Sequence, residues 1–126
     1  MEKDGIYKCT ICGNVVEAIE PNVGELVCCG KPMDLQKEKT EEQGTEKHLP
    51  IITIKENKIT VKIGSIEHPM EKEHYIELIE LLQNGKVIFS KRLYPGEKPI
   101  AEFILENTEG ITAREYCNIH GLWKTN

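Results

Sequence analysis

The sequence has few aromatic residues and no excess of basic ones. Aromatics are only 6% of its 126 residues, so any core must be mostly aliphatic. The 16 Lys and Arg against 21 Asp and Glu give a net charge of −5. This balance argues against a nucleic-acid-binding surface, because phosphate binding needs a basic face. The contents of 39% hydrophobic and 29% charged residues are typical of a soluble globular protein and not of a disordered one.

Long apolar runs are also missing. No stretch approaches the roughly 20 apolar residues of a membrane span. The charged start, MEKDGIYKC, has no apolar segment of the kind found in signal peptides. We therefore expect a cytoplasmic protein whose thiols stay reduced, without a membrane or nucleic-acid partner. The odd count of 5 cysteines also fits poorly with a closed disulfide framework, and metal ligation is the commoner use of reduced cysteines.

Four of the cysteines fall early in the chain, in the pattern C-x2-C followed by an adjacent C-C pair. They are Cys9, Cys12, Cys28 and Cys29. A turn at Gly13 would let the first two sulfurs face one point. Adjacent side chains diverge unless the backbone bends, and Gly30 and Pro32 would help such a bend. The pattern predicts a four-thiolate site for zinc or iron, with free cysteines or a vicinal disulfide as the alternative.

The distribution of these residues predicts a division of the chain. Residues 1–36 hold the four cysteines and are too few to bury an independent apolar core, so they should need a metal to fold. Residues 37–47 are highly charged and without apolar periodicity, which favours a linker. Residues 48–126 have the texture of a larger domain.

The larger domain has the pattern of an antiparallel β-protein. Strand-like segments lie at residues 51–55, 58–63, 74–82, 86–94 and 99–106. Glu56-Asn57 and Asn84-Gly85 are typical of tight hairpin turns. The segment 74–82 also has the apolar spacing of a helix, but the Asn-Gly pair after it favours a strand. We predict a sandwich or a barrel.

All four histidines and the fifth cysteine lie beyond the predicted linker. They are His48, His68, His74, His120 and Cys117. Each histidine alone could be an ordinary turn or strand-end residue. As a set they lie at strand edges and loops, and a single turn could aim Cys117 and His120 at one metal. Imidazole and thiolate suit iron, copper, nickel or zinc. Five such ligands leave one position of a six-coordinate ion open for a small molecule.

Several of these motifs resemble known iron proteins. CTICGNVVE with ELVCCGKPM resembles the desulforedoxin-type iron module. EKH, HPM and TAREYCNIHGLW resemble the catalytic domain of superoxide reductases. The two parts in this order are similar to the desulfoferrodoxin family of two-iron superoxide reductases.

The resemblance implies two iron ions per chain. Cys9, Cys12, Cys28 and Cys29 would hold a rubredoxin-like iron. His48, His68, His74 and His120 would form an equatorial plane around a second iron, with Cys117 as axial ligand. The resemblance also implies a mainly β protein, with a small desulforedoxin-like module followed by an immunoglobulin-like β-sandwich, and a homodimer.

The resemblance further implies an activity. The ferrous second centre, with its open sixth position, would reduce superoxide to hydrogen peroxide and be re-reduced by a donor such as rubredoxin. Glu46 could close the ferric site, and Lys47 would attract superoxide and help its protonation. A Glu-Lys pair in a charged segment is otherwise an ordinary solvated surface. Glu115, two residues before Cys117, could shape the surroundings of the thiolate. The competing interpretations of the whole chain are an electron-transfer protein and a zinc-ribbon interaction module.

Overall fold

The computed structural model describes residues 1–44 and 47–125. Within these ranges the chain forms twelve β-strands and no helix, so nothing there has the helical length needed to cross a membrane. Contacts divide the chain into two compact units, Met1–Lys37 and Glu38–Asn126. The mainly β fold predicted from turn spacing is therefore confirmed.

The first unit is built from five short strands. They are β1 (Ile6–Lys8), β2 (Val15–Glu17), β3 (Val27–Cys28), β4 (Lys31–Pro32) and β5 (Asp34–Leu35). Strand β1 lies between β2 and β5 in an antiparallel sheet, while β3 and β4 form a separate hairpin. Its buried hydrophobic side chains are few, namely Ile6, Tyr7 and Cys9, as expected for a module this short.

The second unit is a sandwich of two antiparallel sheets. Its strands are β6 (Pro50–Lys55), β7 (Lys58–Ile63), β8 (Ile76–Gln83), β9 (Lys86–Arg92), β10 (Ile100–Ile104), β11 (Ile111–Cys117) and β12 (Gly121–Lys124). One sheet has the order β10-β7-β6 and the other β12-β11-β8-β9. Side chains alternate across each strand, so every second residue can enter the space between the sheets.

The core between the sheets is aliphatic, as the shortage of aromatics predicted. Ile59, Val61 and Ile63 of β7 have no exposed surface, and they share one buried cluster with Ile79 and Leu81 of β8. Burial of each such side chain contributes on the order of 1.5–3 kcal/mol. The cluster extends to Cys117, so the interior of the sandwich reaches the candidate metal ligands.

Both predicted hairpin turns are present. Glu56 has φ 57° between β6 and β7. Asn84 and Gly85 have φ 51° and 81° between β8 and β9, as a primed turn requires. The ambiguous segment is a strand, β8, and its helix-like spacing arises because it is buried on both faces: Leu81 and Leu82 are each at most 3% exposed.

The last two strands were not predicted, because TAREYCNIHGLW was interpreted only as a turn carrying ligands. Strand β11 lies in the middle of the four-stranded sheet, between β12 and β8. It carries Arg114, whose Nε donates to Oε1 of the buried Glu80 at 2.6 Å. Such a pair satisfies two charges that would otherwise be costly inside the protein.

Candidate metal centres

Four histidines and one cysteine meet at one end of the sandwich. The ligand atoms of His48, His68, His74, Cys117 and His120 all lie within 4.8 Å of one another. This is the set predicted from the sequence. Donor atoms this close, from five residues of two metal-binding types, histidine and cysteine, form a group that could hold an iron ion.

The strand order explains how distant residues reach one place. Pro50 at the start of β6 pairs with Ile63 at the end of β7, and Cys117 at the end of β11 pairs with Ile76 and Gly121 of β8 and β12. His48 precedes β6, the β7–β8 connection carries His68 and His74, and His120 precedes β12. Strand ends from both sheets therefore mount every ligand at the same edge.

The four imidazoles form a closed ring. Neighbouring ring centroids are 4.6 Å apart for His48–His68, 5.0 Å for His68–His74, 5.0 Å for His74–His120 and 4.8 Å for His120–His48. Cys117 Sγ lies 3.7 Å from His68 Nε2 and 3.9 Å from His120 Nδ1. The sulfur therefore lies close to ring nitrogens at two opposite corners of the ring.

His48 is the histidine whose surroundings most clearly fit a metal. It is 1% exposed, and among the described residues neither ring nitrogen has a hydrogen-bond partner. Burial, followed by the charge of the neighbouring histidines, lowers the pKa of His48 to about 3. A buried neutral imidazole without hydrogen bonds is costly unless a metal takes its lone pair.

Local hydrogen bonds orient the other donors. His68 Nδ1 lies 2.7 Å from the Pro69 carbonyl oxygen, so donation there turns Nε2 toward the Cys117 sulfur. The His120 backbone N–H donates to Cys117 Sγ at 3.4 Å. Cys117 itself has no exposed surface. An N–H donor of this kind stabilises negative charge on a thiolate.

The loops that carry these ligands approach each other closely at Gly64. Gly64 has φ +84°, and a Cβ built on it would lie 2.5 Å from the carbonyl oxygens of both Lys47 and Ile66. A side chain at this position would push the two loops apart. Sequence reasoning did not identify this residue, although an isolated glycine at a strand end is a signal for close backbone approach.

Charged residues from the predicted linker also hold the site. Glu42 accepts hydrogen bonds from the backbone N–H groups of His48 at 2.7 Å and Leu49 at 3.0 Å. Lys39 Nζ donates to the His120 carbonyl oxygen at 2.9 Å and lies 4.9 Å from the Trp123 ring centroid. Neither contact could be predicted from the sequence. In a charged segment, a residue that contacts the site looks the same as one that faces solvent.

Lys47 is half-buried beside His48, whereas Glu46 lies outside the described residues.

Glu115 has no exposed surface, and its carboxylate has no hydrogen-bond partner among the residues described. Burial raises the pKa of Glu115 well above its usual value, and the charge of Glu42 adds to this. The structure therefore places a buried carboxyl group two positions before Cys117.

The second candidate centre is in the first unit. The sulfurs of Cys9, Cys12, Cys28 and Cys29 lie within 4.8 Å of one another, and all five cysteines of the chain are free thiols. This group could hold a second iron ion. Gly13, with φ 82°, donates its N–H to the Cys9 carbonyl oxygen at 3.0 Å and closes the predicted turn. The predicted bend at the adjacent pair is present, since Cys29 has φ 54° and Gly30 φ 72°.

The electrostatics of this group favour a bound cation. N–H groups of Cys12 and Ile11 donate to Cys9 Sγ and lower the pKa of Cys9 to about 6. Contact with the other thiols, Cys12 first, raises the pKa of Cys29 to about 12. Four thiols this close cannot all ionise without a positive charge between them, which a metal ion supplies.

Each of the two units matches a known protein family. Residues 40–126 match the family described as Desulfoferrodoxin, and residues 1–36 match Desulfoferrodoxin, N-terminal domain. The desulfoferrodoxin of Syntrophotalea carbinolica is 51% identical over 98% of this chain and 97% of its own. The superoxide reductase of Thermococcus kodakarensis is 35% identical over 63% of this chain and 84% of its own.

A solved structure extends the likeness to the whole fold. The superoxide reductase from Treponema pallidum superposes with a TM-score of 0.74 and 25% identity, covering 97% of both chains. The predicted combination of a desulforedoxin-like module with an immunoglobulin-like sandwich is confirmed by this likeness. The matches to both family models and the extent of the identity with full-length relatives establish that the chain belongs to the desulfoferrodoxin family of superoxide reductases.

Proposed function

We propose that this protein is an enzyme that reduces superoxide to hydrogen peroxide. The observation that carries the proposal is the closed ring of four histidines with the buried Cys117 thiol beside it. In balance, one superoxide takes one electron and two protons and leaves as one hydrogen peroxide. Iron bound by these five residues would supply the electron, and five donors leave one position of a six-coordinate ion for the substrate.

The residues around the site have distinct tasks in this reaction. The four imidazoles would hold the ion, and the lowered pKa of His48 keeps that ring neutral near pH 7. The Cys117 thiolate would supply electron density to a bound ion, and the His120 N–H, which donates to the sulfur, would limit that supply. The ring stacking of Trp123 on His48 excludes water from one side of the site.

We assign Lys47 and Glu46 to the handling of the substrate and its product. Lys47 adjoins the ligand His48, and its ammonium group can attract an anion locally although the protein as a whole is acidic. It can also bring a proton to the departing peroxide. Glu46 would bind the oxidised centre after peroxide leaves. Both roles follow from the family resemblance.

We assign the chain to three parts: an iron module at residues 1–36, a linker at 37–47 and a catalytic domain at 48–126. The family matches at 1–36 and 40–126 support this division. The boundary between the two compact units falls after Lys37, within one residue of the proposed end of the iron module. Iron at the four cysteines would stabilise a unit that has little apolar core.

A homodimer fits the surface of the first unit. Apolar side chains there are widely exposed, including Ile11 at 61%, Ile19 at 75% and Val23 at 105%. A groove of about 430 Å³ in the same unit is lined by Val16, Leu26 and Met33 among others. Burial of such a surface against a second copy would be favourable.

We further propose a cytoplasmic location and a rubredoxin-type electron donor, both on the family resemblance.

One experiment tests the proposed reaction. Protein made with iron available should contain two iron ions per chain, and its reduced form should consume superoxide and yield peroxide without releasing oxygen. Zinc in both sites would favour the interaction module, because zinc cannot change its oxidation state. Two irons with no faster consumption of superoxide than buffer alone would favour an electron-transfer protein and overturn the proposal.

A further inference from the structure

The loop between β7 and β8, residues 64–75, carries two of the four imidazoles, His68 and His74, yet contains no strand of its own. A loop of this length has many conformations unless it is tied to its surroundings. Ligands on it must still be held within a fraction of an ångström to fit a metal. Something outside the loop must therefore fix the segment around His74.

Asn118 lies in the turn between β11 and β12, directly after Cys117 and two residues before His120. Its Oδ1 accepts a hydrogen bond from the Tyr75 backbone N–H at 2.9 Å, and its Nδ2 donates to the Glu73 carbonyl oxygen at 3.0 Å. The Asn118 backbone N–H donates to the Tyr75 carbonyl oxygen at 3.2 Å. Asn118 thus contacts the backbone on both sides of His74.

The chemistry of these contacts requires an amide. The Tyr75 N–H can only donate and the Glu73 carbonyl can only accept, so the side chain must offer one acceptor and one donor side by side. An aspartate would keep the first bond and set an oxygen against the Glu73 carbonyl. The orientation of the amide is therefore determined by its partners.

His74 itself is held by its own loop. Its backbone N–H donates to the Glu71 carbonyl oxygen at 3.0 Å, and its carbonyl accepts from the Glu71 N–H at 2.9 Å. This local pair shapes a tight turn but does not relate the turn to the rest of the site. The contacts of Asn118 do, since they join that turn to the β11–β12 segment, in which Cys117 and His120 lie on either side of Asn118 in the sequence.

We propose that Asn118 is a positioning residue that sets His74 relative to the Cys117 thiolate. Asn118 is not one of the five candidate ligands. It makes the β7–β8 loop and the β11–β12 turn one rigid frame, so three of the five donors keep their mutual geometry when the metal changes charge. This proposal rests on the proposed function only in taking the five residues as iron ligands.

The test compares Asn118→Ala and Asn118→Asp with the wild-type holoprotein. Both should release iron from the histidine site to a chelator at least about tenfold faster, the size of effect known for residues that support metal ligands. The thiolate-to-ferric charge-transfer band should shift in energy, while the iron of the four-cysteine site is retained. Asn107→Ala is the matched control, because Asn107 also caps a backbone N–H in this unit, that of Glu109, at the far end of β11.

The outcomes separate positioning from simple stabilisation. A lower unfolding temperature with an unshifted band and unchanged iron release would overturn the proposal. If Asn118→Ala does not fold, Asn118→Asp and hydrogen exchange in the wild-type holoprotein decide. The Tyr75 amide should exchange slowly, and fast exchange there would also overturn it. Iron release and the band do not depend on reaction with superoxide, so a failure of the proposed activity would be seen separately in the wild-type protein.

Discussion

The indole of Trp123 stacks on the imidazole of His48, with ring centroids 4.5 Å apart and planes inclined by 9°. The indole Nε1 also donates to the His120 carbonyl oxygen at 3.1 Å. One buried side chain therefore supports two candidate ligands on adjacent corners of the ring, by stacking in one case and by a hydrogen bond in the other.

These two contacts can be separated by substitution. Trp123→Phe should keep a stacked ring but lose the hydrogen bond, worth about 1 kcal/mol, whereas Trp123→Leu should lose both. We expect iron release from the histidine site to become faster in the order Trp, Phe, Leu, as measured with a chelator. Equal rates for the Phe and Leu variants would show that stacking does not contribute.

Replacing a cysteine ligand of one candidate centre should disturb that centre and leave the other intact. Cys117→Ser should abolish the thiolate-to-ferric charge-transfer absorption of the histidine site and its reaction with superoxide, because oxygen replaces the sulfur donor. The four-cysteine iron should remain. Cys12→Ser is the reciprocal control and should disturb only that iron. Absorption spectra and iron content per chain measure both effects, and a band that survives Cys117→Ser would exclude Cys117 as a ligand.

The charge of Lys47 should speed the capture of superoxide. Lys47→Ala should slow the bimolecular reaction of the reduced protein by about tenfold at low ionic strength and flatten its dependence on salt. Lys86→Ala removes the same charge from the exposed hairpin at the opposite end of β8 and should have little effect. Rates measured at several ionic strengths decide, and identical rates for both variants would remove Lys47 from the mechanism.

The Arg114–Glu80 pair should be a large contribution to stability. Both side chains are at most 5% exposed, and Ser90 Oγ also donates to Glu80 at 3.0 Å. Glu80→Gln leaves a buried guanidinium without its main counter-charge, so the free energy of unfolding should fall by about 3 kcal/mol. Urea unfolding followed by the fluorescence of the single tryptophan measures this in the second unit.

An exposed pair of similar length provides the comparison. Lys58 and Glu102 are 2.9 Å apart but about half exposed. Glu102→Gln should cost less than about 1 kcal/mol, because water screens the charges. Similar losses for the two variants would mean that burial does not set the strength of the Arg114 pair.

The ligand set was predictable because it depends on side-chain chemistry more than on geometry. Cysteine and histidine are rare residue types, and this chain has only five of the first and four of the second. Their spacing predicted both groups of ligands that the structure brings together. Hairpin turns were predictable for the same local reason: Asn84 and Gly85 tolerate positive φ wherever they occur.

The supporting contacts were not predictable, because each joins residues far apart in the chain. Glu42 and Lys39 look like any charges in a polar segment, and only the folded chain directs them to His48 and His120. Strand β11 was missed because its alternate residues are buried on both faces, which removes the polar alternation that identifies a strand.

The sequence by itself determined which atoms can bind metal and which turns form, since these follow from the chemistry of single residues and their near neighbours. Tertiary structure alone decided that strand ends from two sheets meet at one edge, that Trp123 stacks on His48 and that Asn118 faces the backbone around His74. The physical reason is that packing of the aliphatic core sets the order of the strands, and the order of the strands sets which loops meet.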